Sequence, residues 1–393
     1  MTVWRTSYKF VKKIAQRICM RLLASAITGE DRVTGIDNPR KVRVKRSSLT
    51  LFNDTFLRAC RLEQTKTVPV WFMRQAGRYD ADYRAIRERY SLVEICEHPE
   101  VAVEVTKMPV DKLGVDAAIL FSDIMIPVGA MGLPFEIREN VGPVIASPIR
   151  HERDVERLQV FDAQEKLPHV LETIRLLSNE LSVPLIGFMG APFTLASYMV
   201  EGGPSRDYLQ TKQMMVSRPD LWQQLMDKLA DMIIRYGREQ VEAGAKALQV
   251  FDSWVGSLAP GDFVRYVKPT MQRIFEGLKP LSVPLIYFGV NTGELLGEFA
   301  ATGASVVGVD WRVPLARARE RVGGGVALQG NFDPAMLFAP RSEMERRALE
   351  ILKQGAKDPG FVFNLGHGVK PTTDIDALKF LVDVVHAFDP LAG

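Results

Sequence analysis

Cysteine is scarce in this sequence. Its 393 residues include only three cysteines, Cys19, Cys60 and Cys96, and none stands in a CxxC spacing or in metal-ligand register with a histidine. The sequence therefore indicates neither a disulfide framework nor a zinc site. Such cysteine usage is typical of a reducing compartment, and we expect a cytoplasmic protein.

Long apolar runs and nucleotide-binding glycine motifs are also lacking. No apolar run approaches the roughly 18 residues that a membrane-spanning helix needs, which argues against an integral membrane protein. The glycines at 323–325 lack both the GxGxxG spacing and a following lysine, so neither a dinucleotide fold nor a P-loop is predicted. Ser253, in FDSWVG, has no GxSxG elbow and no evident triad, which argues against a hydrolase.

An excess of positive charge is confined to the start of the chain. Residues 1–46 carry 12 Lys/Arg against 3 Asp/Glu, a net charge of +9 within a chain total of +3, so the remainder carries −6. The body of the protein is therefore not a nucleic-acid binder by charge.

Residues 8–24 combine an apolar and a basic pattern, each at helical spacing. Three interpretations of this amphipathic segment compete: a cleaved plastid or mitochondrial presequence, a membrane-surface contact, and an unstructured extension. We expect residues 1–48 to form a basic extension and residues 49–393 to form the catalytic domain. The basic stripe consists of Lys9, Lys13, Arg17 and Arg21.

From Asn53 onward, apolar runs of strand length alternate with long amphipathic helical stretches. Eight strands separated by helices predict a single α/β domain, a (β/α)8 or TIM barrel. Two alternating runs about a turn, within 132–145, predict a β-hairpin inserted after the second strand. The eight predicted strands are Val68–Met73, Ala117–Phe121, Pro184–Phe188, Ala247–Phe251, Pro284–Phe288, Val306–Asp310, Val326–Gly330 and Phe361–Leu365.

The first predicted strand ends in two arginines, in the sequence PVWFMRQAGRY at 69–79. Active sites of such barrels lie at the carboxyl ends of the strands. Arg74 and Arg78 are four residues apart, so both guanidinium groups can face one side and bind carboxylates in a bidentate manner. The alternative is that both are surface residues paired with Asp80 and Asp82.

Asp123 follows the second predicted strand, in AILFSDIM, and is flanked by Phe121 and Ile124. A carboxylate in such a dry place must be paired or reserved for a ligand. The sequence leaves both possibilities open, because a salt bridge to Arg74 or Arg78 would also satisfy it.

His367 lies between two glycines at the end of the last predicted strand, in NLGHG. A histidine there is a candidate site residue, with a helix or turn cap as the alternative. Tyr198 and Ser253 offer hydroxyl groups near the same rim. The remaining histidines fall on polar, helical segments and are predicted to be solvated; they are His98, His151, His169 and His386.

Five strand-end sequences, taken together and in order, resemble those of the uroporphyrinogen decarboxylase family. They are RQAGRY, ILFSDI, GAPFTLASYMVEGG, FDS and NLGHG, and the resemblance runs from about Asn53 to the C-terminus. One difference is DADYR at 80–84, where the family usually has a proline before the next acid and tyrosine. This difference leaves open the backbone path of residues 80–84 and the direction in which the Arg87 side chain points.

The resemblance implies a homodimeric (β/α)8 barrel that uses no metal and no cofactor. It implies conversion of uroporphyrinogen III to coproporphyrinogen III by loss of four acetate carboxyl groups, in haem and chlorophyll synthesis. Asp123 would be the catalytic residue, holding the pyrrole N–H groups. The resemblance assigns substrate contact to Arg74, Ala76, Arg78, Arg87, Asp123, Tyr198, Ser253 and His367.

Two other functions compete with this one. A cobamide-dependent methyltransferase on a similar barrel would need zinc held by histidine and cysteine, but no cysteine follows Cys96. A non-catalytic tetrapyrrole binder would not need both the RQAGR motif and a buried Asp123. Turnover would separate these alternatives.

Overall fold

The computed structural model describes residues 52–138 and 141–391. The predicted extension at 1–48, with its amphipathic segment, lies outside these ranges. No helix in the described part is both long and apolar enough to cross a bilayer.

Strands and helices alternate along the described chain. The strands are β1 (Ala118–Ile119), β2 (Glu136–Arg138), β3 (Gly142–Val144), β4 (Leu185–Gly190), β5 (Ala247–Asp252), β6 (Leu285–Gly289), β7 (Val306–Gly308), β8 (Ala327–Phe332) and β9 (Phe361–Leu365). The helices are α1 (Thr55–Cys60), α2 (Ala81–Arg87), α3 (Leu92–Glu97), α4 (Pro99–Leu113), α5 (Ile126–Ala130), α6 (Glu152–Glu156), α7 (Ala163–Lys166), α8 (Pro168–Glu180), α9 (Pro192–Glu201), α10 (Leu209–Ser217), α11 (Pro219–Ala243), α12 (Pro260–Tyr266), α13 (Lys268–Leu278), α14 (Leu296–Ala300), α15 (Leu315–Val322), α16 (Arg341–Gly355) and α17 (Ile375–Ala387). Short 3₁₀ turns occupy Val255–Ser257, Lys279–Leu281, Gly293–Leu295 and Pro334–Phe338.

Seven strands form one parallel sheet in the order β1-β4-β5-β6-β7-β8-β9. Every residue of β6 and of β9 is buried, which is the pattern of parallel strands covered on both faces. The long helix α11 begins with a proline at its first turn and buries Leu221, Leu225 and Leu229 at four-residue spacing. The predicted α/β class with a parallel sheet is confirmed.

The first predicted strand, Val68–Met73, is wrong as a regular strand. It forms an isolated parallel bridge from Val70 to Phe363, because several of its backbone N–H groups bond to side chains instead of to a neighbouring strand. The acceptors for the N–H groups of Val70, Phe72 and Met73 are Asp116 Oδ2 (2.8 Å), Gln75 Oε1 (3.1 Å) and Asn364 Oδ1 (3.1 Å).

Segment 68–73 nevertheless bonds to both edge regions of the seven-stranded sheet. The Trp71 N–H donates to the carbonyl of Phe363 on β9 at 3.3 Å, and the Asp116 N–H, just before β1, donates to the carbonyl of Val70 at 2.8 Å. These bonds on both sides are consistent with the predicted barrel.

Strands β2 and β3 pair antiparallel, with Glu136 opposite Val144 and Arg138 opposite Gly142. They fall within the region at 132–145 where a hairpin was predicted. Residues 139 and 140 between them lie outside the described ranges, so the hairpin as a whole stays a prediction.

The Asp116 side chain joins three distant parts of the chain, and we name this group the Asp116 clasp. Its carboxylate accepts hydrogen bonds from Asn53 Nδ2 (2.7 Å) and the Val70 N–H (2.8 Å), and its Oδ2 lies 2.8 Å from His386 Nε2. The interpretation of His386 as a solvated residue was therefore wrong. Although helical, His386 is bound by a carboxylate 270 residues away.

The Asp116 clasp predicts a pH dependence of stability. The hydrogen bond to Asp116 is the largest influence on His386 and raises its pKa above the ordinary 6.5. A raised pKa in the folded state gives a contribution that is complete below the unfolded value and is lost as pH rises through the folded value. We expect His386→Gln, which keeps an N–H donor but removes the charge, to destabilise the protein more at pH of about 6 than at about 8.

Urea unfolding of wild type and His386→Gln at both pH values checks this prediction. Other titrating groups are shared by the two proteins, so their contributions cancel in the difference. An equal difference in unfolding free energy at the two pH values would contradict it.

Candidate active site

Arg74 lies directly after the bridged segment 68–73 in an unusual conformation. Its φ of 59° is in the left-handed region, which is uncommon for a residue with a side chain and is found at sites where neighbours impose it. Its stem passes over Gly368, where an added Cβ would meet Arg74 Cγ at 2.7 Å. Because Gly368 has no side chain, the Arg74 side chain can occupy this space.

Asp123 lies beyond the carboxyl end of β1 and is half-buried. Its Oδ1 accepts the N–H of Met125 at 2.8 Å; within the described residues, Oδ2 has no hydrogen-bond partner and is available to a ligand. Burial raises the pKa of the Asp123 carboxyl, while the Met125 N–H and the charge of Arg74 oppose the rise. The salt bridge considered as an alternative is not formed as a direct contact in the described part of the chain.

Tyr198, on α9, belongs to a group of aromatic rings near Asp123, which we call the aromatic wall and which consists of Tyr198, Trp254 and Tyr208. Its ring centroid lies 3.9 Å from that of Trp254, and the ring centroid of Tyr208 lies 5.1 Å from that of Trp254. Burial raises the pKa of the Tyr198 hydroxyl, the charge of Asp123 adds to the rise and the charge of Arg74 opposes it. The hydroxyl therefore lies within the electrostatic reach of both groups.

His367, after β9, is held as a neutral ring. Its Nδ1 accepts the N–H of Gly368 at 2.7 Å, which assigns the ring proton of the neutral form to Nε2. Burial, followed by the positive charges of Arg74, Lys370 and Arg312, lowers the pKa of His367 to about 4. Near neutral pH, His367 can therefore donate a hydrogen bond without carrying a charge.

Four of the predicted site residues thus come together. Arg74 is their common neighbour, since its charge acts on Asp123, Tyr198 and His367 alike. The bridged segment 68–73, the carboxyl ends of β1 and β9, and α9 supply this group, which is the arrangement expected at the carboxyl face of a parallel barrel.

The other predicted site residues make no hydrogen bond or ion pair to this group within the described residues. Arg78 is exposed, Ala76 packs with a small separate cluster around Tyr83, and Ser253 is half-buried next to Trp254. Arg87, the last residue of α2, is half-buried and donates from Nη1 to the carbonyl of Tyr90 at 2.9 Å.

The unusual DADYR sequence starts α2 in an ordinary way. Asp80 caps the helix by accepting the N–H of Asp82 at 2.8 Å. Lys112 Nζ lies 2.6 Å from Asp80 Oδ1 and 2.7 Å from Asp82 Oδ2. Both acids are therefore bound by a lysine, and in the described part of the chain neither Arg74 nor Arg78 pairs with them.

The sequence analysis gave no role to a further arginine at the rim, Arg312. Arg312 Nη1 lies 3.0 Å from Asp310 Oδ2, and the guanidinium carbon lies 3.8 Å from the centre of the Trp311 ring. The Trp311 ring in turn meets His367 edge-on at 6.3 Å. The signal was present in the strand-end sequence VDWRV, but an Arg beside a Trp does not by itself indicate a site.

A metal-binding arrangement is not evident in the part of the chain that the structure describes. No three His, Cys, Asp or Glu side chains there are grouped to hold an ion. Cys96 is buried, and burial raises the pKa of its thiol to about 12, with the charge of Asp123 adding to the rise. Its thiol is therefore protonated near neutral pH.

A family model and the relatives most similar in sequence point to one family. A family model described as Uroporphyrinogen decarboxylase (URO-D) matches residues 51–388. The protein named uroporphyrinogen decarboxylase from Geobacillus sp. (strain WCH70) is 54% identical over 337 residues, covering 86% of this chain and 97% of the relative. The one from Carboxydothermus hydrogenoformans is 50% identical over 342 residues, covering 86% and 98%.

Among solved structures, a methyltransferase from Methanosarcina mazei matches with a TM-score of 0.72 and 21% identity, covering 85% of this chain and 98% of that one. At this identity the likeness shows a shared fold and no more. The family model and the relatives at half identity decide the classification: this chain belongs to the uroporphyrinogen decarboxylase family.

Proposed function

We propose that this protein removes the four acetate carboxyl groups of uroporphyrinogen III as CO2 and so forms coproporphyrinogen III in tetrapyrrole biosynthesis. The relatives at half identity carry the name of this activity over nearly their whole length. The observation that supports it in the site is the half-buried Asp123, whose Oδ2 is without a hydrogen-bond partner in the described residues and lies near the cationic Arg74.

The chemistry needs an electron sink, which the substrate itself provides. A proton adds to the ring carbon next to the one that carries the acetate, and the resulting cation is delocalised between the acetate-bearing carbon and the pyrrole nitrogen. The bond to the carboxyl carbon then breaks, its electron pair neutralises the ring, and CO2 leaves. A proton added to the exocyclic carbon and one lost from the ring carbon complete the methyl group, so each cycle consumes one proton.

The protein's part is then to stabilise a cation and to hold carboxylates in place. A fixed negative charge near the pyrrole nitrogens lowers the energy of the cation, which is electrostatic preorganisation. We assign this to Asp123, with its free oxygen accepting the pyrrole N–H groups. The carboxylate side chains are assigned to Arg74, Arg78 and Arg87, whose planar forks suit two-point binding.

The neutral His367 and the hydroxyl of Tyr198 complete this assignment as hydrogen-bond donors. A neutral donor can bind a carboxylate without adding positive charge next to the cation. Ala76 and Ser253 are assigned to substrate contact at the rim. We further propose a single catalytic domain at 49–393, a closed barrel with a hairpin at 132–145, a cytoplasmic homodimer, and no cofactor.

Anaerobic incubation of the protein with uroporphyrinogen, followed by mass spectrometry, tests the proposed function. We expect four successive losses of CO2 that end at coproporphyrinogen. The rate should be unchanged after exhaustive dialysis against a chelator, because the substrate supplies its own electron sink.

Two outcomes would count against the proposal. Binding of the substrate without any loss of CO2 would favour a tetrapyrrole binder. A rate that collapses on chelation and returns with zinc would favour a methyltransferase-like metal site.

A further inference from the structure

Asp252, at the carboxyl end of β5, is a buried carboxylate that the mechanism above does not use. Its side chain is fully buried, and within the described residues no lysine, arginine or histidine pairs with it. Instead, the hydroxyl of Thr194 donates to Oδ1 and the hydroxyl of Tyr287 donates to Oδ2, each at 2.7 Å. Burying a charge without a cation is costly, so its presence calls for an explanation beyond packing.

The charge state of Asp252 reflects these surroundings. Burial is the largest influence and raises the pKa of the Asp252 carboxyl to about 6, while hydrogen bonds from Thr194 and Tyr287 oppose the rise. Near neutral pH the carboxylate is therefore largely ionised and acts as a strong acceptor.

One of its donors, Thr194, lies in the first turn of α9, the helix that carries Tyr198. A negative charge at this end of a helix is favourable, because the backbone N–H groups of the first turn point toward it. Thr194 and Tyr198 are one turn apart on the same helix. The carboxylate thus holds the end of the helix from which Tyr198 projects.

The same threonine also holds the loop after β5. While its hydroxyl donates to Asp252, its oxygen accepts the N–H of Trp254 at 3.3 Å. The Trp254 ring packs against that of Tyr198, with centroids 3.9 Å apart and planes inclined by 35°. A single relay from Asp252 through Thr194 therefore reaches two members of the aromatic wall beside Asp123.

We propose that Asp252 is a positioning residue that acts through Thr194 to hold Trp254 and Tyr198 against each other beside Asp123. The inference rests on the proposed function, since the aromatic wall is taken to face the substrate. Asp252 itself does not touch the substrate. With the relay intact, the hydroxyl of Tyr198 keeps a fixed distance from Asp123 and from the bound macrocycle.

Thr194→Val tests the relay, because valine has nearly the shape of threonine but has no hydroxyl. We expect kcat on uroporphyrinogen to fall by about tenfold, with a smaller change in KM, since misplacement of a positioning group by about 1 Å can cost up to about a hundredfold. Thr194→Ser keeps the hydroxyl and should restore most of the turnover. Asp252→Asn should lower kcat less than Thr194→Val, because its amide oxygen can still accept the Thr194 hydroxyl while its N–H2 group cannot accept the Tyr287 hydroxyl.

Thr302→Val is the matched control. Thr302, like Thr194, is a buried threonine whose hydroxyl donates a hydrogen bond. Its acceptor is the backbone carbonyl of Phe299, at 2.6 Å. It precedes β7 and so lies toward the amino ends of the strands, away from the site. Thr302→Val should lower the melting temperature and leave kcat unchanged.

A spectroscopic readout tests the relay without any turnover. Thr194→Val should change tryptophan emission through Trp254, and the change should be absent when the same substitution is made in a Trp254→Phe background. Comparing the two backgrounds isolates the emission of Trp254 from that of the chain's other tryptophans, of which the sequence has five in all.

Either of two results would overturn the inference: wild-type kcat and emission in Thr194→Val, or an equal loss of kcat in Thr302→Val. If the wild-type protein itself releases no CO2, the proposed function fails. The emission comparison would still decide whether the relay holds Trp254.

Discussion

Replacing Asp123 by asparagine should lower turnover of uroporphyrinogen by about a hundredfold to a thousandfold, the usual cost of removing one preorganised charge-stabilising group. Asparagine can still accept the Met125 N–H through its amide oxygen, so the local turn is preserved. The free carboxylate oxygen, however, becomes an N–H2 donor facing the pyrrole N–H donors. The negative charge that would stabilise the cation is lost at the same time.

Asp123→Glu is the companion variant for this test. It keeps the charge but moves the oxygens outward by one methylene, so it should retain more activity than the asparagine variant. Turnover of both variants and of wild type is measured on uroporphyrinogen, with thermal melts as the control for folding. Wild-type turnover in Asp123→Asn, or a loss of activity explained wholly by unfolding, would return Asp123 to a structural role.

Arg74→Lys should reduce kcat/KM by about tenfold to a hundredfold, since hydrogen bonds to charged groups contribute roughly 1.5–3 kcal/mol. Lysine keeps the positive charge near Asp123 but loses the planar two-point contact with a carboxylate. Stability should change little, because Arg74 is exposed and forms no ion pair within the described residues. Steady-state kinetics with a melting curve for each protein provides the measurement.

Arg78→Lys is the matched comparison, because it is the same substitution at an exposed arginine four residues further along. The charge of Arg74 lowers the pKa values of Asp123, Tyr198 and His367, whereas the charge of Arg78 lowers that of Tyr83. We therefore expect a smaller loss of kcat/KM in Arg78→Lys than in Arg74→Lys. Normal kinetics for both variants would mean that both arginines are ordinary surface residues.

Much of the fold could be predicted because the buried strands are continuous apolar runs. The run at 361–365, for example, is a strand with the predicted bounds and is buried throughout. The run at 68–73 looked the same in sequence but formed only an isolated bridge. Three of its backbone N–H groups bond to the side chains of Asp116, Gln75 and Asn364, and apolar periodicity carries no information about such side-chain acceptors.

The core of the candidate site could be found for a related reason. Arg74, Asp123 and His367 each follow a predicted strand, and strand ends of one parallel sheet meet at one face. Their assignment to the substrate stays a prediction. The relay from Asp252 to Trp254 and the clasp of His386 on Asp116 could not be found this way, since each depends on contacts between residues far apart in the sequence.

The bonds between segment 68–73 and β9 have a consequence for how the chain folds. Residues nearly 300 positions apart must meet before Arg74 can settle over Gly368, so the first and last parts of this domain complete the site together. Contacts of such high sequence separation slow folding, because the loop-closure entropy is lost before the pairing is gained. On the ribosome, the segment that carries Arg74 is therefore made long before its partners on β9, and an incomplete chain lacks the part of the candidate site that contains His367.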